Sequence, residues 1–262
     1  MFKIFFLNCF TLLLAPCALA QDADLKTRTE NTLALSLSDY KYEESGHMSL
    51  VAKKVAFHFS RTDALKSIWF KPDQIWFLQS DFNYAQGKAD YQSPKSGILN
   101  ATPNWYFESR ALIGIDFNMG DYLLAPYIGL GFRYLYNDLR TNDYRQGYRR
   151  ESNYLSLPVG LTHKIKLLNQ YQLTSTGEYL YLIKGLQVSN LSDGNPVAKD
   201  VSLAQPRGYG FRLAAMMRFD DWSVGPTLNY WRIEQSEIGG QPPVLEPLNT
   251  SYEVGFKFMK HF

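Results

Sequence analysis

Residues 105–117 read Trp-Tyr-Phe-Glu-Ser-Arg-Ala-Leu-Ile-Gly-Ile-Asp-Phe, and their alternation decides the fold. Trp105, Phe107, Ala111, Ile113, Ile115 and Phe117 share one parity, while Tyr106, Glu108, Arg110, Gly114 and Asp116 share the other. A period of two marks a strand with one apolar face. The stretch 124–137 repeats the pattern, with Leu124, Pro126, Ile128, Leu130, Phe132, Tyr134 and Tyr136 against Ala125, Tyr127, Gly129, Gly131, Arg133 and Asn137. Between them, Gly120-Asp121 suits a two-residue hairpin turn. That turn sets Phe117 opposite Leu124, Ile113 opposite Ile128, Phe107 opposite Tyr134 and Trp105 opposite Tyr136, so that apolar meets apolar. It also sets Glu108 opposite Arg133 on the other face, and Tyr127 opposite Gly114, a ring over bare backbone.

A second hairpin at Asp220-Asp221 behaves alike, pairing Phe219 with Trp222, Met217 with Val224, Leu213 with Leu228 and Phe211 with Tyr230. The final stretch sets Tyr252, Val254, Phe256, Phe258 and Phe262 against Ser251, Glu253, Gly255, Lys257 and His261. Working outward predicts strands at 31–40, 48–60, 73–85, 104–119, 122–137, 151–166, 170–184, 207–219, 222–234 and 249–262. Short connections at 120–121, 167–169 and 220–221 alternate with long polar ones at 86–103, 138–150, 185–206 and 235–248; the link 61–72 is longer than its class. Short turns at one rim and long loops at the other predict an all-β, antiparallel up-and-down transmembrane barrel of about ten strands, with eight or twelve as alternatives.

Composition agrees. Lys+Arg number 27 against Asp+Glu 25, without the basic excess that a nucleic-acid partner calls for. Lys3, the apolar run from Ile4 to Leu14 and the small-residue site Ala18-Leu19-Ala20 predict a signal peptide over 1–20, leaving 21–262 as a single barrel domain. Cys9 and Cys17 both fall in the removed part, which excludes disulfide and thiol chemistry from the exported chain. Leu14-Ala15-Pro16-Cys17 is a poor lipoprotein site because of Pro16. Beyond residue 20 no apolar run approaches the length of a membrane helix.

A secreted β-sandwich or soluble ligand-binding barrel would alternate too, but would bury its apolar face inside. The apolar face here is banded. Trp105, Phe107, Tyr134, Tyr136 and Tyr230 sit near the loop ends, and Phe117, Phe219 and Trp222 near the turn ends, as two aromatic girdles around an aliphatic middle. The opposite face carries Asp81, Glu108, Arg110, Arg133, Glu178, Arg212, Glu253 and Lys257 in mid-strand. Turned inward, four acids and four bases would interlock as a salt-bridge network filling the lumen.

The stretches Pro126–Tyr134 and Tyr154–Leu161, with a last strand ending on Phe262, resemble the small outer-membrane β-barrel superfamily of Gram-negative bacteria, including its porin-like barrels. The resemblance spans nearly all of 21–262 and is one of form. It implies a place in the outer membrane with periplasmic termini, contact with membrane lipid and lipopolysaccharide, and insertion by the barrel-assembly machinery, with Tyr252, Val254, Phe256, Phe258 and Phe262 as assembly signal. No cofactor is implied.

Fold alone does not choose an activity. The expected role is a non-enzymatic surface or structural protein with a filled lumen; a narrow porin-like channel is the alternative. A further alternative is a lipid A-modifying hydrolase, since His58 and Ser60 share one face with the His-x-Ser spacing of lipid A deacylases. An omptin-like protease would need acidic pairs and an Asp–His couple at the loop rim; Asp81 and Glu108 could sit high on neighbouring strands, but no histidine falls high on an opposite strand beside an acid. His47, His58, His163 and His261 have no metal-ligand spacing. Among the loops, 138–150 is basic and aromatic, with Arg140, Tyr144, Arg145, Tyr148, Arg149 and Arg150, and is expected to face lipopolysaccharide phosphates. Asp138, Asp143, Asp193 and Asp200 are expected to be solvated, and the surface ligand is left open.

Overall fold

Period-two stretches separated by tight turns pair antiparallel with their neighbours, and once the last strand meets the first no edge is left open. The structure, a computed structural model, describes residues 25–66, 74–140, 147–167, 171–240 and 243–262, so the expected signal peptide lies outside the described residues. Its strands are β1 Glu30–Glu44, β2 Met48–Lys66, β3 Ile75–Ser93, β4 Gly97–Ile115, β5 Phe117–Asn118, β6 Tyr122–Asp138, β7 Arg149–Leu167, β8 Tyr171–Asn190, β9 Val201–Gln205, β10 Gly208–Phe219, β11 Trp222–Ile233 and β12 Asn249–His261. Successive strands pair antiparallel, except that β4 and β5 both pair with β6 and β9 and β10 both pair with β8, and β12 pairs with β1 to close the sheet. β5 continues β4 past Asp116 in unchanged register against β6, and β9 continues β10 beyond Pro206-Arg207 in unchanged register against β8. The closed wall therefore has ten strands.

Both turn-derived registers are the observed ones: Phe117 faces Leu124, Glu108 faces Arg133, and Phe211 faces Tyr230. The ring contacts differ from expectation. A Cβ on Gly114 would strike the Phe77 ring at 2.3 Å, whereas Tyr127 covers Gly160, so each bare backbone serves a ring from a neighbouring strand.

The polar stretch 86–103 is not a loop. β3 and β4 run through it to a tight turn at 94–96, and β1 and β2 likewise meet in a turn at 45–47. Here Gln86, Lys88, Asp90 and Gln92 point outward while Ala85, Ala89 and Tyr91 point inward, so the outer face of β3 is polar and does not mark the strand. Likewise β8 and β9 shorten the expected loop 185–206 to 191–200. The longer loop-side links that remain join β6 to β7, β8 to β9 and β11 to β12.

The wall is inverted relative to a soluble fold. Leu35 and Leu37 are 59% and 67% exposed on the outer surface, whereas inward Leu50 and Leu123 are fully buried. Outward rings cluster near the loop side, with Trp105 on Tyr136 at 5.2 Å, Phe107 on Tyr134 at 5.7 Å and Tyr230 on Tyr252 at 5.0 Å. Near the turns, Trp222 stacks on Phe258 at 4.7 Å, and Phe117 and Phe219 also face outward. Phe262 exchanges backbone hydrogen bonds with Asn31, tying the chain end to the first strand.

Candidate functional site

Every second residue of ten strands converges on the lumen, which is filled or hollow according to the size of those side chains. At the loop-side mouth, Arg150 reaches both Glu44, at 2.5 Å, and Glu246, while the Tyr42 hydroxyl donates to Glu44 at 2.8 Å. Tyr42, Met48, Leu50, Tyr91 and Leu139 pack around this cluster. Glu246 belongs to the connection 234–248, so the ion pairs pin that connection across the mouth. Burial raises Glu246, the Arg150 charge opposes the rise and the Glu44 carboxylate adds to it, leaving its pKa at about 7.

One level deeper, Tyr106, Leu135, Tyr154, Leu180, Leu182, Trp231 and Ile233 form a second packed layer. Lys54 lies there with its Nζ 3.8 Å from the Tyr40 ring centre and 4.6 Å from that of Tyr106, and the Arg133 guanidinium carbon lies 4.5 Å from the Tyr106 ring centre. Cations stacked on aromatic faces stand in for ion pairs here. Arg133 therefore does not bridge Glu108, although the register sets them opposite.

Below it runs a belt of charges. Arg110 bridges Asp81 and Glu178, the latter at 2.8 Å, and Arg212 bridges Glu178 at 3.2 Å and Glu108 at 2.5 Å. The belt crosses from β3 and β4 to β8 and β10, and Tyr127 donates to Glu178 at 2.9 Å. Glu253 stands apart, accepting from Ser38 at 2.7 Å and Tyr106 at 2.8 Å. Sequence reasoning brought these acids and bases to one face but missed Lys54, a fifth base. The signal was available: Val55, Phe57 and Phe59 face outward, which turns Lys54, His58 and Ser60 inward.

The turn-side half is hollow. A cavity of about 910 Å³ runs from Ser38, Tyr106 and Glu108 at its inner end to Arg28, Lys166 and Asp221 at the rim. His58 and Ser60 both line it, facing away from lipid, and the His58 Nε2 is 2.8 Å from Ser36 Oγ, while Ser60 lies opposite Asp81. A segment before β1 straps part of the mouth: Thr27 bonds Asp116 through its amide at 2.6 Å and its hydroxyl at 2.9 Å, and Leu25 is buried with Phe77, Leu112 and Leu123 on the far wall.

Three arginines of the basic loop are paired with carboxylates. Arg149 holds Asp193 at 2.7 Å, Arg140 holds Asp138 at 2.6 Å and Arg150 is buried in the mouth; Asp143, Tyr144 and Arg145 lie outside the described residues. Asp200, exposed, accepts from the amide and hydroxyl of Ser192. Among the described residues no group of three or more His, Cys, Asp or Glu is placed to hold a metal.

No family model and no curated protein matches the chain. Among solved structures it is similar to an outer-membrane channel from Pseudomonas putida F1, with 10% identity and TM-score 0.44 over 93% of this chain and 99% of that one. It is also similar to the transport unit of the autotransporter AIDA-I from Escherichia coli, with 8% identity and TM-score 0.46 over 96% and 94%. Neisserial surface protein A matches at 10% identity and TM-score 0.34 over 88% and 97%. These likenesses are weak, and the barrel architecture stands on the strand registers.

Proposed function

We propose that the chain is an integral outer-membrane barrel that does not conduct, serving as a surface or structural protein without enzymatic activity. The observation that carries this is the pair of filled layers across the loop-side half of the lumen, around Arg150 and around Trp231. The apolar outer wall supports the membrane location, since lipid is the solvent in which Leu35 and Leu37 are not exposed to water. In this reading the turns and both termini face the periplasm, lipopolysaccharide covers the outer rings, and β12 with Phe262 is read by the assembly machinery. A hydrolase working on lipid through His58 and Ser60 finds no support, because both side chains face the lumen.

The hollow turn-side half favours one other reading, a narrow channel whose gate is the filled half. Planar-bilayer recording of the refolded protein separates the two: the barrel is expected to stay silent, and steady ion steps in the wild type would make it a porin.

A further inference from the structure

The hollow half of the lumen carries a cation that no carboxylate neutralises. We propose that the vestibule binds a small carboxylate or phosphate anion, seated on Lys257 and the Ser36–His58 pair. The site rests on the closed-lumen reading, because a blind cavity retains what an open pore would pass.

Charge accounting supplies the first argument. At mid-height, leaving aside the ionic groups nearer the rim, Asp81, Glu108, Glu178 and Glu253 face Lys54, Arg110, Arg133, Arg212 and Lys257, one positive charge in excess at that level. Arg110 and Arg212 are committed to the belt, while Lys54 and Arg133 are buried against rings in the sealed half. Lys257 lines the cavity and, among the described residues, is within 4.0 Å of no carboxylate oxygen. In a narrow cleft with low-dielectric walls an excess cation draws a counter-ion far more strongly than on an open surface.

Local geometry supplies the second. Ser36 lies opposite Lys257 on β1, and the opposite residue on β11 is Gly225, which has no side chain to cover the ammonium. The Ser36–His58 bond leaves one donor free in either tautomer. If Ser36 donates to Nε2, the neutral ring carries its hydrogen on Nδ1; if Nε2 donates, the Ser36 hydroxyl hydrogen is free. An ammonium with a neutral donor beside it fits a compact oxyanion.

The test uses the refolded full barrel in detergent micelles at low ionic strength, titrated with inorganic phosphate and with acetate, glycerol being the neutral control. Both anions are expected to bind and glycerol is not. Lys257→Met should weaken binding at least tenfold, Lys257→Arg should hold it within about threefold, and outward-facing Lys53→Gln should leave it unchanged. Heat-modifiable migration shows that each variant is folded. Undiminished binding by folded Lys257→Met, or glycerol binding as well as phosphate, overturns the site. Binding in micelles does not depend on conductance. An open wild-type pore with Lys257-dependent binding would sink only the closure, and a silent barrel without such binding would sink only the site.

Discussion

The two halves of one lumen are built from the same strands and the same inward alternation, yet one is solid and the other hollow. In the loop-side half the inward positions hold Tyr40, Lys54, Tyr106, Arg133, Tyr154 and Trp231; in the turn-side half they hold Thr32, Ser36, His58, Thr162, Thr174 and Thr176. A barrel of eight strands is just wide enough for side chains to fill, and ten strands leave more room. Large rings meeting from several walls close that width, and hydroxyls do not. Strand number sets what can be filled, and inward side-chain volume decides whether it is.

The sharpest way to break this contrast is to make the solid half resemble the hollow one. Tyr106→Ala with Trp231→Ala removes two of the three aromatic side chains of the second layer, each at a cost of about 3–5 kcal/mol if the cavity does not collapse. The doubly substituted barrel should melt well below the wild type, and bilayer recording should change from silence to resolved steps. Continued silence in a folded double variant would move the seal up to the cluster of Arg150, Glu44 and Glu246.

The next largest effect lies at the boundary between the halves, in the charge belt. Removing Glu108 leaves Arg212 with one bridge fewer in a buried setting, a loss of about 3 kcal/mol. A double-mutant cycle on thermal or urea stability should give strong coupling between Glu108→Ala and Arg212→Ala and little between Glu108→Ala and Arg133→Ala. Equal coupling in both cycles would mean that register, rather than side-chain contact, governs these pairs.

That reassignment of partners shows where the sequence speaks and where it stops. Two-residue turns fix register without reference to the rest of the chain, so Glu108 opposite Arg133 was readable from Gly120-Asp121 alone. Which cation Glu108 touches depends on how far Arg212 reaches across the lumen, and that depends on the curvature of the closed wall. The extension of β3 and β4 was unreadable because the outward residues Gln86, Lys88, Asp90 and Gln92 are polar, so the apolar-out alternation that marks the rest of the wall is lost there. Leu25 gave no signal at all, since its burial depends on the far wall formed by β3, β4 and β6.

The smallest effect concerns the outer lid of the solid half and distinguishes a rigid seal from a titrating one. Glu44 and Glu246 share the Arg150 guanidinium, one cation between two carboxylates. Burial raises Glu246 to about 7 against the pull of the Arg150 charge. A carboxyl group whose folded value lies above its unfolded one holds its proton more tightly when folded. Its stabilising contribution is full below about pH 4.5 and is lost as pH rises to about 7. The connection 234–248 should therefore be held more firmly at pH 5.5 than at pH 8. Two amides report on it: Ser236 N–H donates to the Glu246 carbonyl at 2.9 Å, and Glu246 N–H donates to Ser236 Oγ at 2.8 Å. After correction for intrinsic rates, their hydrogen exchange should quicken by up to about tenfold per pH unit across that window, the limit for one proton. In Glu246→Gln the group cannot ionise, so the lid should stay protected at pH 8 and the pH dependence should vanish. If protection in the wild type is flat from pH 5.5 to 8, the two carboxylates are both ionised throughout, Arg150 alone holds the lid, and the solid half is sealed independently of pH.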